Sequence, residues 1–271
     1  TRKESSAASD VYKRQVVGVG QPIALCLGVP LGAWLGTRMD WPQIFWGLSL
    51  LALLLWFWVR LAVPDYPGQP AHQRQPIARI FLTRGLPQAL LVIFVWILAH
   101  NILYTYIAPF LASLGLAASL DRALLVFGLA SLVGIWFTGL GVDRWLRGLT
   151  LCSLAGFALA CLLLGIAASQ PWLAWLGIGA WGLTFGGAPT LLQTAVADVA
   201  GEGADVEQSM LVTIFNLGIA CGGMVGGLLL QRYGAASFPW AMAALALVGL
   251  MLVWGARSHA FKPGQRSACC A

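Results

Sequence analysis

Charged side chains are scarce in this sequence. Of its 271 residues, 16 are Lys or Arg and 10 are Asp or Glu, so only 10% are charged, whereas 59% are hydrophobic. A soluble domain carries about 25% charged residues, which cover its surface in water. So few charges exclude a soluble enzyme, a disordered chain and a nucleic-acid-binding domain. The net charge of +6 therefore needs another explanation.

Sequence motifs for catalysis and metal binding are also lacking. The chain has no Walker loop, no GxSxG or HExxH motif, no CxxC pair and no pair of intramembrane aspartates. Its six cysteines show no metal-type spacing. We therefore expect no enzymatic activity, no metal and no cofactor. Without a phosphate-binding loop, the energy for any transport would come from an ion gradient. An intramembrane enzyme would need a nucleophile or metal set that this sequence does not offer.

Long apolar runs dominate the sequence instead. A membrane span needs about 20 mostly apolar residues. Eight stretches qualify, over residues 16–35, 44–63, 88–112, 123–141, 149–168, 172–196, 210–230 and 237–255. The runs are continuous rather than alternating, which favours helices over β-strands. The sequence predicts an all-α polytopic protein with eight transmembrane helices in a lipid bilayer.

Basic residues are distributed unevenly between the connections. With eight spans both termini lie on one side, and only Arg38, Arg122 and Arg232 of the 16 basic residues fall on the other side. The positive-inside rule then places both termini in the cytoplasm. This topology explains the basic character of the chain without a nucleic-acid partner.

The connection over residues 64–87 differs from the others. It is polar and contains five prolines, as an inter-domain linker does. We expect it to be a central cytoplasmic loop between two spans in residues 16–63 and six spans in residues 88–257, with a cytoplasmic tail over residues 258–271. The polar residues 1–15 are interpreted as a non-native leader or a cytoplasmic segment.

Small residues recur at four-residue spacing in two spans. The first span contains GQPIALCLGVPLGAWLG and the seventh contains NLGIACGGMVGGLLLQRYG. This spacing allows helices to approach closely, and an interior proline bends a helix. The fourth span ends on an Asp-Arg pair at the cytoplasmic edge, where the acid can pair with nearby arginines. The candidates for gating or helix packing are Gly28, Pro30, Gly32, Asp143, Arg144, Gly218 and Gly222.

His100 is the only His, Asp, Glu, Lys or Arg deep within a predicted span. Polar groups in hydrocarbon are costly and usually face the bundle interior or a water-filled cavity. His100 could carry a proton or donate to a substrate, or it could only bond a neighbouring helix. The candidates for substrate binding or proton linkage are His100, Asn101, Tyr104, Gln193 and Asn216. Three tryptophans, at positions 96, 136 and 181, are candidates for lining an apolar cavity.

Several of these stretches resemble the major facilitator superfamily, and within it the bacterial drug/proton antiporters that export sugars, arabinose, purines or chloramphenicol. The resemblance is carried by LGVPLGAWLG followed by DWPQIFW, by LYTYIAPFL at 103–111, by FGLASLVGIWFTGLGVDR at 127–144 and by FNLGIACGGMVGG at 215–227. One departure is Asp40-Trp41-Pro42, which replaces the usual Gly-Trp-Arg. The resemblance implies a monomeric carrier in the bacterial inner membrane that exports a small molecule in exchange for protons, by alternating access.

The family has twelve helices, and the eight spans resemble its fifth to twelfth. We therefore expect an N-terminally truncated carrier, with the first four helices missing. The alternative is a non-transporting membrane module or an inert truncation product. Amphipathic drugs, sugars, purines and amino-acid derivatives all remain open as substrates.

Overall fold

The computed structural model describes residues 28–36, 38–64, 81–167, 170–200 and 204–261. These residues form α-helices and three short 3-10 helices without any strand, which confirms the all-α fold. The α-helices are α1 (Val29–Gly36), α2 (Trp41–Ala62), α3 (Leu86–Thr105), α4 (Ile107–Ser113), α5 (Leu120–Gly165), α6 (Pro171–Gly186), α7 (Ala188–Ala200), α8 (Ala204–Tyr233) and α9 (Phe238–Gly255).

Prolines lie at the first or second position of several helices. The first turn of a helix suits proline, because its missing N–H has no intrahelical partner there and its φ is already helical. The prolines at the first or second position of α2, α3, α6 and α9 are Pro42, Pro87, Pro171 and Pro239. The beginnings of these helices are therefore encoded locally.

Two predicted spans are each broken into two helices. Span 88–112 consists of α3 and α4, which meet at Tyr106 with φ −116° and ψ 30°. Span 172–196 consists of α6 and α7, which meet at Gly187. Pro109 and Pro189 follow these breaks and cannot donate to the carbonyl four residues earlier. The carbonyl freed by Pro189, that of Phe185, accepts from the Gly187 N–H instead.

The chain divides into two compact units, Thr1–Arg74 and Gln75–Ala271. In the first unit, α2 has no buried residue, and most of its large exposed side chains are leucine, phenylalanine and tryptophan. In the second unit, α3 is buried along most of its length and packs against α7, α8 and α9. The candidate site described below lies entirely in the second unit.

Helix α5 reverses direction near its middle. Its 46 residues would extend about 69 Å if straight, roughly twice the 30 Å of a bilayer core. Trp145, however, has non-helical angles of φ −134° and ψ 39°. Leu149 Cδ1 lies 3.1 Å from the position a Cβ atom would take at Gly141. In a straight helix these residues would be about 12 Å apart, so the chain folds back at Trp145.

Contacts with α6 show that the two halves of α5 are antiparallel. The first half meets α6 in the same residue order, and the second half meets it in the opposite order. The pairs in close contact are Phe127–Gly182 and Ser131–Gly186 in the first half, and Leu164–Gly177 and Gly156–Thr184 in the second. The predicted spans 123–141 and 149–168 leave a connection over residues 142–148, and the non-helical backbone there is confined to Trp145.

Five helical stretches among the described residues are long and apolar enough to cross a membrane. They are Trp41–Ala62, Leu86–Thr105, Ala117–Gly165, Gln208–Tyr233 and Ala235–Ser258. The third of these contains the reversal at Trp145. The outer surface carries many exposed apolar side chains, such as Trp136 at 61% and Leu140 at 67%. Such a surface is suited to lipid rather than water.

Candidate substrate site

His100 lies in a cluster of aromatic rings contributed by three helical segments. Its ring stacks on Phe185 of α6 with centroids 3.6 Å apart and planes within 1°. Tyr104, one turn further along α3, stacks at 5.0 Å. The ring centroids of Phe127 in α5 and Trp181 in α6 lie 5.8 and 5.3 Å from that of His100. His100 keeps only 7% exposure.

One hydrogen bond orients the His100 ring. Trp181 Nε1–H donates to His100 Nδ1 at 3.1 Å. No hydrogen bond to His100 Nε2 is found within the part of the chain that the structure describes. The imidazole therefore has one nitrogen bonded inside the cluster and one available to another group.

Trp96 extends the cluster by one turn of α3. Because Trp96, His100 and Tyr104 are four residues apart, they share one face of the helix. The Trp96 ring makes edge contacts with Phe157 at 6.4 Å and with Phe185 at 6.2 Å. Its Nε1 is enclosed and has no hydrogen-bond partner among the described residues. The aromatic cluster is then Trp96, His100, Tyr104, Phe127, Phe157, Trp181 and Phe185.

The other polar candidates lie outside this cluster. Asn101 is buried, and its Nδ2 donates to the Ile97 carbonyl at 2.9 Å. Asn216 is exposed on α8, and its Nδ2 donates to the Val212 carbonyl at 2.8 Å. Gln193 is exposed on α7. Of the five predicted polar residues, the structure thus brings together only His100 and Tyr104 through their rings.

A row of glycines on α8 packs against α3. A Cβ atom at Gly218 would lie 3.1 Å from Ile97 Cβ, and one at Gly222 would lie 2.6 Å from Asn101 Cβ. Further along, one at Gly226 would lie 2.8 Å from the Tyr106 ring. We call Gly218, Gly222 and Gly226 the glycine face. Both series rise together in residue number, so α3 and α8 run parallel.

Tyr106, at the junction of α3 and α4, forms a hydrogen bond with α8. Its hydroxyl donates to the Gly223 carbonyl at 3.0 Å. Its ring also lies beside Gly226 and Gly227, where no side chain intervenes. No local sequence pattern singles out Tyr106, because its partners are more than a hundred residues away.

The remaining gating and packing candidates lie elsewhere. Asp143 and Arg144 are exposed just before the reversal of α5. Gly28 directly precedes α1, and Gly32 lies within it. Apart from neighbouring residues and the backbone of the same helix, no described atom lies within 4 Å of the position that a Cβ atom would take at either glycine. Pro30 lies in α1, and its side chain is outside the described part of the chain.

Arg147 forms hydrogen bonds with the C-terminal end of α9. Its guanidinium donates to the carbonyls of Val253 at 2.8 Å, Phe261 at 3.0 Å and Trp254 at 3.3 Å. Val253 and Trp254 belong to the last turn of α9, whose carbonyls have no intrahelical partner. A positive charge at a helix C-terminus is also favoured by the helix dipole.

The sequence matches a family model described as Major Facilitator Superfamily over residues 16–207. The chain belongs to the Major Facilitator Superfamily. Proteins similar to this chain include "Purine ribonucleoside efflux pump NepI" from Escherichia coli O1:K1 / APEC, with 30% identity over 238 residues. The proteins of the same name from Escherichia coli strain K12 and from Shigella flexneri are each 29% identical over 238 residues. Each alignment covers 85% of this chain and 59% of the relative.

Membership in the Major Facilitator Superfamily confirms the membrane-transport class predicted from the sequence and sets the chain apart from enzymes. The chain spans 59% of the length of these relatives. Among the ring partners of His100, Trp181 is named from sequence as a candidate for lining a cavity, whereas Phe127 and Phe185 are missed. The only local signal for Phe185 is its spacing of four residues from Trp181, which puts both on one face of α6.

Proposed function

We propose that this chain is part of a secondary transporter that exports a small polar heterocycle, of the purine ribonucleoside class, from the bacterial cytoplasm. The observation that carries the proposal is the alignment with purine ribonucleoside efflux pumps over 238 residues. The aromatic cluster supports it, because stacked rings and a few polar groups suit a planar ligand. In this proposal the chain corresponds to helices five to twelve of the fold.

The proposed topology has eight crossings, two in residues 16–63 and six in residues 88–257. The six are α3 with α4, the first half of α5, its second half, α6 with α7, α8, and α9. Contacts in the second unit support this order. The two halves of α5 are antiparallel, and α3 runs parallel to α8, as alternating passes require. Residues 64–87 would be the central cytoplasmic loop.

Cysteine labelling tests this topology. Arg122 and Arg144 are separated by 22 residues of the first half of α5, about 33 Å of helix, which matches the bilayer core. We expect single cysteines at Arg122 and Arg232 to react with an impermeant maleimide added to intact cells. Cysteines at Arg144 and Arg257 should react only in inside-out vesicles. These variants need a background in which the six native cysteines are replaced. Labelling of Arg144→Cys from outside would contradict the proposal.

The proposed mechanism is alternating access driven by proton entry. Two helix bundles would rock about a binding site near the bilayer midplane. The aromatic cluster of the second unit would contact the solute in that site. The glycine face would let α8 and α3 stay in close contact as the unit moves, because backbones without side chains can slide past each other. Gln193 and Asn216 remain candidates for lining the path.

Flux measurements in proteoliposomes test the transport activity. Vesicles loaded with tritiated adenosine should release it faster when the external medium is acidified, and a protonophore should abolish this acceleration. The 271-residue chain should be compared with a chimera that adds the unaligned N-terminal part of the strain K12 relative. Absence of saturable, proton-dependent flux from both proteins, with helix content intact by circular dichroism, would overturn the proposal.

A further inference from the structure

The hydrogen bond between Trp181 and His100 in the aromatic cluster determines the tautomer of the His100 imidazole. An indole nitrogen carries a proton and can only donate. His100 Nδ1, 3.1 Å away, must therefore accept and cannot itself carry a proton. A neutral imidazole that accepts at Nδ1 has its proton on Nε2. The bond to Trp181 thus selects the Nε2–H tautomer.

We infer that Trp181 is a positioning residue that keeps His100 as a neutral hydrogen-bond donor through Nε2, and that this donor recognises an acceptor atom of the transported solute. This inference rests on the proposed function of the site, and it specifies the chemical group of the solute that the site recognises. The ligand class is a solute with a carbonyl oxygen or an unprotonated ring nitrogen. His100 is then a specificity residue, and the coupled proton is carried by another group.

The packing around Trp181 explains how it can act in this way. Its indole is fully buried and lies 4.4 Å from the Phe127 ring, centroid to centroid. The next residue, Gly182, is in close contact with the Phe127 carbonyl, so α6 and α5 approach backbone to backbone at this level. The indole therefore has little freedom to turn away from His100.

Two further aromatic rings pack against His100 beside Trp181. Phe185 stacks on one face at 3.6 Å, and Tyr104 lies 5.0 Å away. Among the ring contacts of His100, only Tyr104 can ionise. A doubly protonated His100 would direct an Nδ1–H at the indole N–H, and the bond seen here would be lost. The observed arrangement therefore belongs to the neutral donor form.

Nitrogen NMR of the full 271-residue chain in detergent micelles tests the tautomer directly. His72→Gln and His259→Gln leave His100 as the only histidine, so that its two ring nitrogens can be assigned. We expect the Nε2–H form to dominate between about pH 6 and 8. Trp181→Phe, which keeps a ring but removes the N–H, should lower the ratio of Nε2–H to Nδ1–H about fivefold, the effect of one neutral hydrogen bond.

Trp136→Phe is the matched control, because Trp136 is 61% exposed on α5 and the chemical change is the same. It should leave the tautomer ratio unchanged. An Nδ1–H tautomer or an imidazolium in the unsubstituted chain at neutral pH would overturn the inference. An unchanged ratio in Trp181→Phe would do so as well.

Two substitutions at His100 separate a donor from a proton carrier. Glutamine places an amide N–H near the position of Nε2 but cannot take up a proton, whereas leucine supplies neither. Tritiated adenosine should bind the His100→Gln chain within about threefold of the unsubstituted chain, and the His100→Leu chain at least tenfold more weakly. Equal weakening by both would overturn the donor role. If adenosine binds none of the chains, the proposed substrate class fails, and the tautomer spectra decide the inference by themselves.

Discussion

Gly222→Ala should destabilise the second unit, whereas Gly223→Ala should not. Both glycines lie in the middle of α8, and both changes add one methyl group to a helix. At Gly222 the new Cβ would lie 2.6 Å from Asn101 Cβ and 2.9 Å from the Leu98 carbonyl oxygen. At Gly223 no described atom lies within 4 Å of the new Cβ. The pair therefore isolates the contact between α8 and α3.

The expected magnitude follows from two opposing effects. Alanine favours a helix over glycine by about 1 kcal/mol, and this gain is shared by both variants. Overpacking a closely packed position costs about 1–3 kcal/mol, and only Gly222→Ala carries that cost, because a backbone carbonyl cannot move aside as a flexible side chain can. The free energy of unfolding of Gly222→Ala should therefore be about 1–3 kcal/mol below that of Gly223→Ala.

Thermal unfolding in detergent micelles measures the difference. For a domain of this size, 1 kcal/mol shifts Tm by roughly 2–4 °C, so Gly222→Ala should unfold about 2–12 °C below Gly223→Ala. Both variants must be heated at the same rate, because irreversible unfolding makes the apparent Tm depend on it. Equal apparent Tm values, with equal helix content before heating, would refute the close approach of α3 and α8.

Two further substitutions probe the contacts of the second unit. Arg147→Ala should lower the apparent Tm by about 4–8 °C, because a charged donor to the α9 carbonyls contributes roughly 2 kcal/mol. Arg144→Ala, which removes an exposed charge three residues earlier, should leave it unchanged, and an equal loss in both would show that charge alone matters. Tyr106→Phe deletes only the hydroxyl that bonds Gly223 and should lower the apparent Tm by about 2–4 °C. The same change at the exposed Tyr233 is its control, and no difference between the two variants would count against the Tyr106 bond.

The apolar runs were sufficient to predict an all-helical fold, because continuous hydrophobicity over about 20 residues has few other structural solutions. Their interruptions were harder to place. Pro109 and Pro189 are visible in the sequence, but a proline near a helix end and one that splits a span look alike. The reversal at Trp145 lies within the predicted connection over residues 142–148, but nothing in the sequence shows that a single non-helical residue makes it. Contacts between residues on opposite sides of Trp145 locate it.

The candidate site was predictable in part, for the polar residues His100 and Tyr104 and for the tryptophans Trp96 and Trp181. His100 was found because it is ionisable within an apolar run. Its partner Trp181 is 81 residues away, so no local pattern specifies their hydrogen bond. The same holds for Arg147, whose guanidinium donates to carbonyls more than a hundred residues distant, because backbone acceptors leave no mark in a sequence.

The single-residue reversal at Trp145 fixes the length of the chain there. In a helix each residue turns the backbone by about 100°. One residue inserted on either side of Trp145 would rotate the second half of α5 by that angle and carry Gly156 and Leu164 away from α6. Insertions and deletions, which surface loops usually absorb, should thus be excluded from this connection. Epitope tags and length polymorphisms would have to be accommodated elsewhere in the chain.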